Sequence, residues 1–559
     1  MRRQFPAVAL VAVVALLASC RSTPEPRTEA VQRAPIPVRL IAINDLHGYL
    51  EPNPFQAPGG ASRLAGGVVA LAGTVERLRA EQPASIMVAA GDLIGASPLS
   101  SGLLHDQPTI EAVNRMGLAL SAVGNHEFDY GREELARLAH GGCPKQGCAP
   151  GENPFPGAKF EYLAANVFDT ATGKPAFTPY RIVQVGTARV AFVGAVLEGA
   201  PNIIIAKNIA GLRFADEAES INALVPEIVA QGVRAIVLLI HQGGVPKEQV
   251  DPATCDGVEG SWIFPMLDKL DPEIDVVVSA HTHQSYVCRY KGRLMTQASS
   301  YGRRATRIDL SIDPASGDVA ASEAENLLVD PERPSTDPAY AAIVADAKAR
   351  TNAIAGRPIA RLGVDQIRRH RDANGESLLG RFVADAQLEA GRDEGVAIAC
   401  MNAGGIRQDL PPVPRPDRSL NYGDVQAVHP FGNRLIVLEL TGAEVAGVFE
   451  SQLARVGAEG LMVCSRGFTY RYDRRRPSGQ RLLPGYPKLD GKPLEPQRTY
   501  RVLVNNYIAG GGDGLSQLKD KKQLMDIGSD LDALSDYLKA HEPAMPPTDV
   551  RVEGEYEPH

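Results

Sequence analysis

The sequence carries no excess of positive charge. Across 559 residues, 58 Lys and Arg face 66 Asp and Glu, the net charge is -8, and no domain-sized basic block occurs. Duplex nucleic acid is held through counterions that clustered cations release from phosphates, so a nucleic-acid polymer is excluded as partner. Any phosphate-bearing ligand has to be small and met by local cations. Paired Cys-x-x-Cys units are missing among the seven cysteines, which argues against a zinc knuckle. No internal repeat or low-complexity tract occurs. With 44% hydrophobic and 22% charged residues, 54 Gly and 42 Pro, the chain is not disordered, collagen-like or coiled-coil, and it can fill at least two large cores.

The apolar run at residues 7–18 is short for a bilayer span, which takes about 20 residues. It follows Met1-Arg2-Arg3 and closes in Leu17-Ala18-Ser19-Cys20, the layout of a secretory leader. The tetrapeptide resembles a bacterial lipobox. That resemblance implies removal of residues 1–19 and a lipid anchor on Cys20. Because Arg21 rather than Asp follows, the expected location is the outer membrane, facing the periplasm or the cell surface. Residues 20–34, rich in Pro, Thr, Glu and Arg, read as a tether. The remaining cysteines, Cys143, Cys148, Cys255, Cys288, Cys400 and Cys464, are even in number, which in an exported chain suggests disulfides. Nearest-neighbour pairing would close a tight loop at Cys143/Cys148 and another around Cys255/Cys288, but the sequence does not choose among the pairings.

Residues 35–330 repeat one pattern, a short apolar run ending in a polar residue and a turn. Residues 38–43 lead to Asn44-Asp45, 86–90 to Gly91-Asp92, 120–123 to Gly124-Asn125, 235–240 to His241 and 274–280 to His281. Continuous apolar runs suit strands buried on both faces. Helix-compatible stretches at 67–79, 109–116 and 218–229 lie between them, which predicts a layered α/β domain. After the polar, Pro-containing stretch 330–336, residues 337–355 favour helix and connect to a second domain at 357–550. That domain has its own strand signals at 396–401, 434–440 and 499–504.

Ligands in open α/β sheets collect beyond the carboxyl ends of the strands, where the loops converge. Five strand ends here deliver Asp45 and His47, Asp92, Asn125 and His126, His241, and His281 and His283. The spacing of Asp45-Leu46-His47 and His281-Thr282-His283 places each pair on one side of an extended segment. Seven of these donors, His126 set aside, are enough for two divalent ions sharing a carboxylate, with Asp92 as the bridge. Any one of these residues alone reads as structural. The joint pattern does not, since five of the eleven histidines fall in strand-end motifs.

These blocks, together with Gly124-Asn125-His126-Glu127-Phe128-Asp129 and Ala280-His281-Thr282-His283, resemble the calcineurin-like metallophosphoesterases, and specifically their 5′-nucleotidase branch. Ala280 stands where the family usually has Gly, and a small residue keeps the turn. The resemblance implies a four-layer αββα metallophosphoesterase domain joined by a helix (residues 331–356) to a C-terminal α/β substrate-binding domain. It assigns one metal to Asp45, His47, Asp92 and His283, and the other to Asp92, Asn125, His241 and His281. This mixed donor set suits Zn or Mn better than Ca. The family reaction is in-line attack on phosphorus by a metal-bridging hydroxide. His126 then stabilises the transition state or protonates the leaving group, and Asp129 orients its ring.

For the second domain the resemblance makes Asn402 a base contact and Arg407 a contact to substrate oxygens. It makes Phe431 and Tyr507 a clamp on the nucleobase, and Asp513 the acceptor of ribose hydroxyls. Tyr507 replaces the usual Phe and adds a hydroxyl that needs a partner. Arginines before the helix start at Glu376-Ser377 belong to the pattern. Arg368, Arg369 and Arg371 compete for that place, and Arg369 and Arg371 share a face if the segment is extended. Family members also rotate one domain against the other.

The expectation is therefore a monomeric lipoprotein that removes phosphate from nucleoside 5′-monophosphates, with UDP-sugars as a further substrate class. The alternatives are a 2′,3′-cyclic phosphodiesterase with 3′-nucleotidase activity, a sulfate thiol esterase, and a non-catalytic nucleotide-binding or adhesion lipoprotein.

Overall fold

The computed structural model describes Met1 and residues 34–559, except 57–61, 146, 149–152, 248, 261, 456–460 and 555–559. The expected leader, Cys20 and nearly all of the tether lie outside the described residues. Among the described residues no helix is long and apolar enough to cross a membrane.

Two six-stranded sheets form the first domain. In one, the strands run in the order Val319–Leu328, Arg304–Ile312, Ile36–Ile43, Ser85–Ala89, Leu118–Ala122, Glu161–Leu163, the last four mutually parallel. In the other the order is Ser285–Tyr290, Arg293–Ala298, Val276–Val278, Ile236–His241, Ala188–Val196, Tyr180–Val185, with its four central strands parallel. Side chains alternate across each strand. Val38, Leu40 and Ala42 meet Phe192, Val237 and Leu239 between the sheets. Ile41 and Ile43 point instead to the helices Val68–Glu81, Gln107–Met116 and Arg132–His140, and Ile236, Leu238 and Ile240 to Glu217–Asn222, Val225–Ala230 and Ile263–Lys269. Both faces of each central strand are thus buried, which is why the runs are apolar throughout. The result is four layers, helix, sheet, sheet, helix.

The expected helix over 218–229 is two helices, Glu217–Asn222 and Val225–Ala230. Pro226 in the first turn of the second has no N–H for the preceding turn, so the first helix cannot run through it. The expected strand over 274–280 narrows to Val276–Val278.

The connecting helix runs Pro338–Ala355, capped by Asp337, whose Oδ1 accepts the Ala339 N–H at 3.1 Å. Beyond it lies a five-stranded sheet in the order Val463–Cys464, Ile398–Met401, Thr499–Asn505, Arg434–Thr441, Gln523–Ser529. Helix Gly442–Ala454 packs on one face, and Leu378–Ala390 with Asp530–Ala540 on the other. Three disulfides are present: Cys143–Cys148, Cys255–Cys288 and Cys400–Cys464, the last between adjacent strands.

The two sheets of the first domain are in close contact at Gly194, where an added Cβ would overlap Leu163 of the facing sheet. Gly194→Ala is expected to destabilise the protein by about 1–3 kcal/mol through overpacking, measured by denaturant unfolding.

Candidate active site

The five strand ends come from both sheets, three from the first and two from the second, and they meet at one rim of the sandwich. Asp45, His47, Asp92, Asn125 and His241 are buried, while His281 and His283 are half-buried. The donor atoms of Asp45, His47 and His283 lie within 4.8 Å of one another, and so do those of Asp92, His241 and His281.

The paired ligands do not sit on extended backbone. Asp45, His47, Asp92, His281 and His283 all have positive φ, between 48° and 72°. The expected i and i+2 geometry is therefore corrected. Each pair shares the site because the chain turns sharply in the left-handed region. Such strain costs of order 1–3 kcal/mol per residue and persists where surroundings enforce it.

Hydrogen bonds fix which nitrogens look inward. His47 Nδ1 donates to the Gly95 carbonyl at 2.9 Å, and His241 Nδ1 to the Ala90 carbonyl at 2.9 Å. Each Nε2 is thereby turned inward. That of His241 faces Asp92 Oδ2 at 3.0 Å and Asn125 Oδ1 at 3.1 Å. That of His47 faces His283 Nε2 at 3.0 Å, Asp92 Oδ2 at 3.6 Å and Asp45 Oδ1 at 4.0 Å. Asp92 Oδ1 accepts the His126 N–H at 2.8 Å, and its buried Oδ2 takes no hydrogen bond from the described residues. Lone pairs aimed at one another repel unless positive charge lies between them. Two divalent ions would fit this donor set.

The electrostatics agree. Burial lowers His241, but the adjacent Asp92 charge outweighs it and lifts the imidazole to about 9. Burial pushes Asp45 up to about 7. Both shifts report a site that demands positive charge. Burial holds His281 down to about 3 and His47 and His283 well below the usual histidine range, so they are neutral, as metal ligation requires.

His126 opens a short helical turn at the same rim, with a ring nitrogen within 4.8 Å of the ligand nitrogen of His47 and a carboxylate oxygen of Asp92. Its Nδ1 lies 2.9 and 3.0 Å from the Asp129 carboxylate, which also accepts the Ala96 N–H at 2.9 Å. The dyad expected from the motif is formed.

Three supporting residues escaped the sequence reading. Glu127, buried, accepts the N–H groups of Asp92, Leu93 and Gly124 at 2.9, 2.8 and 2.7 Å and ties two ligand loops together. Asn44 donates to Asp45 Oδ2 and to the Ser299 carbonyl, both at 2.6 Å. Asn208 donates to the Asp129 carbonyl at 2.6 Å. Glu127 and Asn44 sit inside or beside the ligand motifs, and an acidic residue flanked by site residues was the available signal. Asn208 is remote in sequence and gave none.

In the second domain, Ile398–Met401 and Thr499–Asn505 are parallel, so Asn402 and Asn505 emerge together, and Asn505 Nδ2 donates to Asn402 Oδ1 at 2.9 Å. Arg434–Thr441 runs antiparallel beside them, which brings the loop containing Phe431 to the same edge. The Tyr507 hydroxyl donates to Asp513 Oδ1 at 2.6 Å and accepts the Asp513 N–H at 2.9 Å, so it has the partner it needs. One face of the Tyr507 ring lies on Gly512, where a Cβ would come within 2.5 Å of the ring.

This edge reaches the metal rim. Gln408 Nε2 donates to the Tyr49 hydroxyl at 2.5 Å and Gln426 Nε2 to the Ser97 carbonyl at 3.2 Å, and the Tyr507 oxygen lies 3.3 Å from the Asn202 carbonyl oxygen. The positive charge of Arg407 depresses His47, His281 and His283, and its buried Nε and Nη2 take no hydrogen-bond acceptor among the described residues. Arg369 is tied to the loop that carries Arg407. Its Nη1 donates to the Ile406 and Arg407 carbonyls at 2.9 and 2.8 Å, which props the Arg407 backbone. Arg371 pairs in a short bridge with Ser377.

A parallel-sheet sandwich with this ligand set at its rim defines a dimetal phosphoesterase. Sequence comparison agrees: the calcineurin-like phosphoesterase family matches residues 38–285, and the 5′-nucleotidase C-terminal domain family matches 356–520. The chain belongs to the 5′-nucleotidase family of metal-dependent phosphoesterases. It is 30% identical over 548 residues to Cell wall protein Lmo0130 of Listeria monocytogenes, covering 93% of this chain and 69% of that one. It is also 30% identical over 478 residues to Endonuclease YhcR of Bacillus subtilis, covering 85% of this chain but only 37% of that longer protein. The crystal structure of a 5′-nucleotidase precursor from Thermus thermophilus superposes with a TM-score of 0.77 at 27% identity, over 94% of this chain and 100% of that one.

Asp92→Asn is expected to strip most bound divalent ion, read by metal analysis after desalting. His126→Ala is expected to keep the ion and to lose phosphate release by about 10²–10⁴-fold.

Proposed function

We propose that the protein hydrolyses nucleoside 5′-monophosphates to nucleoside and phosphate outside the cytoplasm. The observation that carries this reading is the meeting of the Arg407 guanidinium and the Phe431 ring, both from the second domain, with the metal ligands and His126 of the first. A planar cation suits phosphoryl oxygens, and an aromatic face suits a base. Asp45, His47, Asp92 and His283 would hold one ion, and Asp92, Asn125, His241 and His281 the other, with Zn or Mn best suited to these donors. When bound, the pair supplies charge neutralisation at the phosphoryl group and an acidified water as nucleophile.

The protein's own groups do the rest. Arg407 holds the phosphoryl oxygens. His126, its Nδ1–H held by Asp129, turns Nε2 to the leaving 5′ oxygen and hands it a proton as the P–O bond breaks. Asn402 contacts the base, and Phe431 and Tyr507 flank it. Asp513 accepts ribose hydroxyls with the carboxylate oxygen that Tyr507 does not use. Arg369 acts through the Arg407 backbone, and Arg371 is assigned a further contact to substrate oxygens. UDP-sugars, which present the same base and ribose, are a further substrate class. The leader and Cys20 support an exported enzyme anchored by lipid in the outer membrane, and three disulfides suit an oxidising compartment.

A hydrolysis panel tests this: AMP, UMP, UDP-glucose, a 3′-nucleotide, a 2′,3′-cyclic nucleotide and a DNA oligonucleotide, each with and without chelator. Phosphate release from AMP is expected, abolished by EDTA and restored by Mn or Zn. Preference for the cyclic nucleotide or the oligonucleotide would overturn the substrate assignment.

A further inference from the structure

The catalytic imidazole of one domain is covered by a ring from the other. Phe431 lies nearly parallel to His126, 18° between planes and 5.7 Å between centroids, within the range of offset stacking. Three of the groups around His126 bear on the orientation of its ring. Asp129 holds Nδ1, and the His47 ring meets it edge-on at 5.0 Å and 72°. The third is the flat surface of Phe431. The terminal torsion of a histidine is broad, so a hydrogen bond at Nδ1 alone lets the ring pivot about that contact. A parallel aromatic plane removes the pivot and fixes the direction of Nε2.

We propose that Phe431 is a positioning residue for His126, in addition to flanking the base, so that docking of the substrate domain completes the catalytic dyad. The inference rests on the phosphohydrolase reading above for the role of His126. It makes one ring serve recognition and chemistry together: the loop that meets the base also sets the proton donor. Arg407, with Cζ 5.7 Å over the same ring, helps hold the Phe431 plane in place.

The test separates the two roles with ribose 5-phosphate, which has no base to stack. In metal-loaded full-length protein, Phe431→Leu is expected to lower kcat on ribose 5-phosphate about fivefold, with KM changed less than about twofold. Phe431→Tyr and Phe431→Trp, which keep an aromatic face, should restore most of that loss. The ring protons of His126, followed by NMR in histidine-labelled protein without substrate, should leave their ring-current-shifted positions in Phe431→Leu and return in Phe431→Tyr. Wild-type kcat in Phe431→Leu, a loss that neither aromatic variant rescues, or an unmoved His126 signal overturns the positioning role. Failure of the wild type to release phosphate from AMP defeats the functional reading instead, and the NMR measurement still decides the stacking.

Discussion

Electron pairs crowd into one largely buried space in this molecule. Two aspartates, an asparagine and four imidazoles gather at a rim where water screens them poorly, and positive charge makes the arrangement stable. The rest of the first domain can be read as the means of holding that crowd in place. Parallel strands in two stacked sheets end at the same level. The chain turns through left-handed backbone at five ligands, and carbonyls of Gly95 and Ala90 grip the outward nitrogens of His47 and His241. Glu127 adds a carboxylate that accepts amides from two ligand loops, so the Asp92 turn and the Asn125 turn cannot shift independently.

The second domain solves a different problem with similar means. Its sheet edge gathers three loops, and the polar groups there satisfy one another: Asn505 on Asn402, Tyr507 on Asp513, Arg369 on the carbonyls beside Arg407. The guanidinium of Arg407 differs, with two buried nitrogens that find no acceptor among the described residues and a ring beside it. A group left in that condition inside a protein is a statement about a ligand, because an unmatched buried charge is otherwise costly.

Much of this was legible in the sequence. The five strand ends were readable because strands buried on both faces leave uninterrupted apolar runs, and the ligands follow those runs directly. The linker helix was readable from its composition and its Asp-Pro start. What escaped depends on three-dimensional closure. Nothing local in Asp45-Leu46-His47 distinguishes an extended pair from one bent through positive φ, and nothing in the five runs assigns three strands to one sheet and two to the other. Pro226 lies inside the helix-compatible stretch 218–229, and its missing N–H divides that stretch in two. The dual setting of Phe431 could not be seen, since its second neighbour, His126, lies in another domain.

The linker helix has a mechanical consequence. Tyr340, Ile343 and Ala347 belong to the core that backs the first sheet, so most of this helix is part of the first body and not a free rod between two. If the domains swing, the pivot falls at its end, near Gly356 and Arg357, where the helical hydrogen bonds stop. The eighteen-residue helix then serves as a fixed post, and a change of one residue at that post's end would alter the arc through which Arg407 and Phe431 travel to the metal rim.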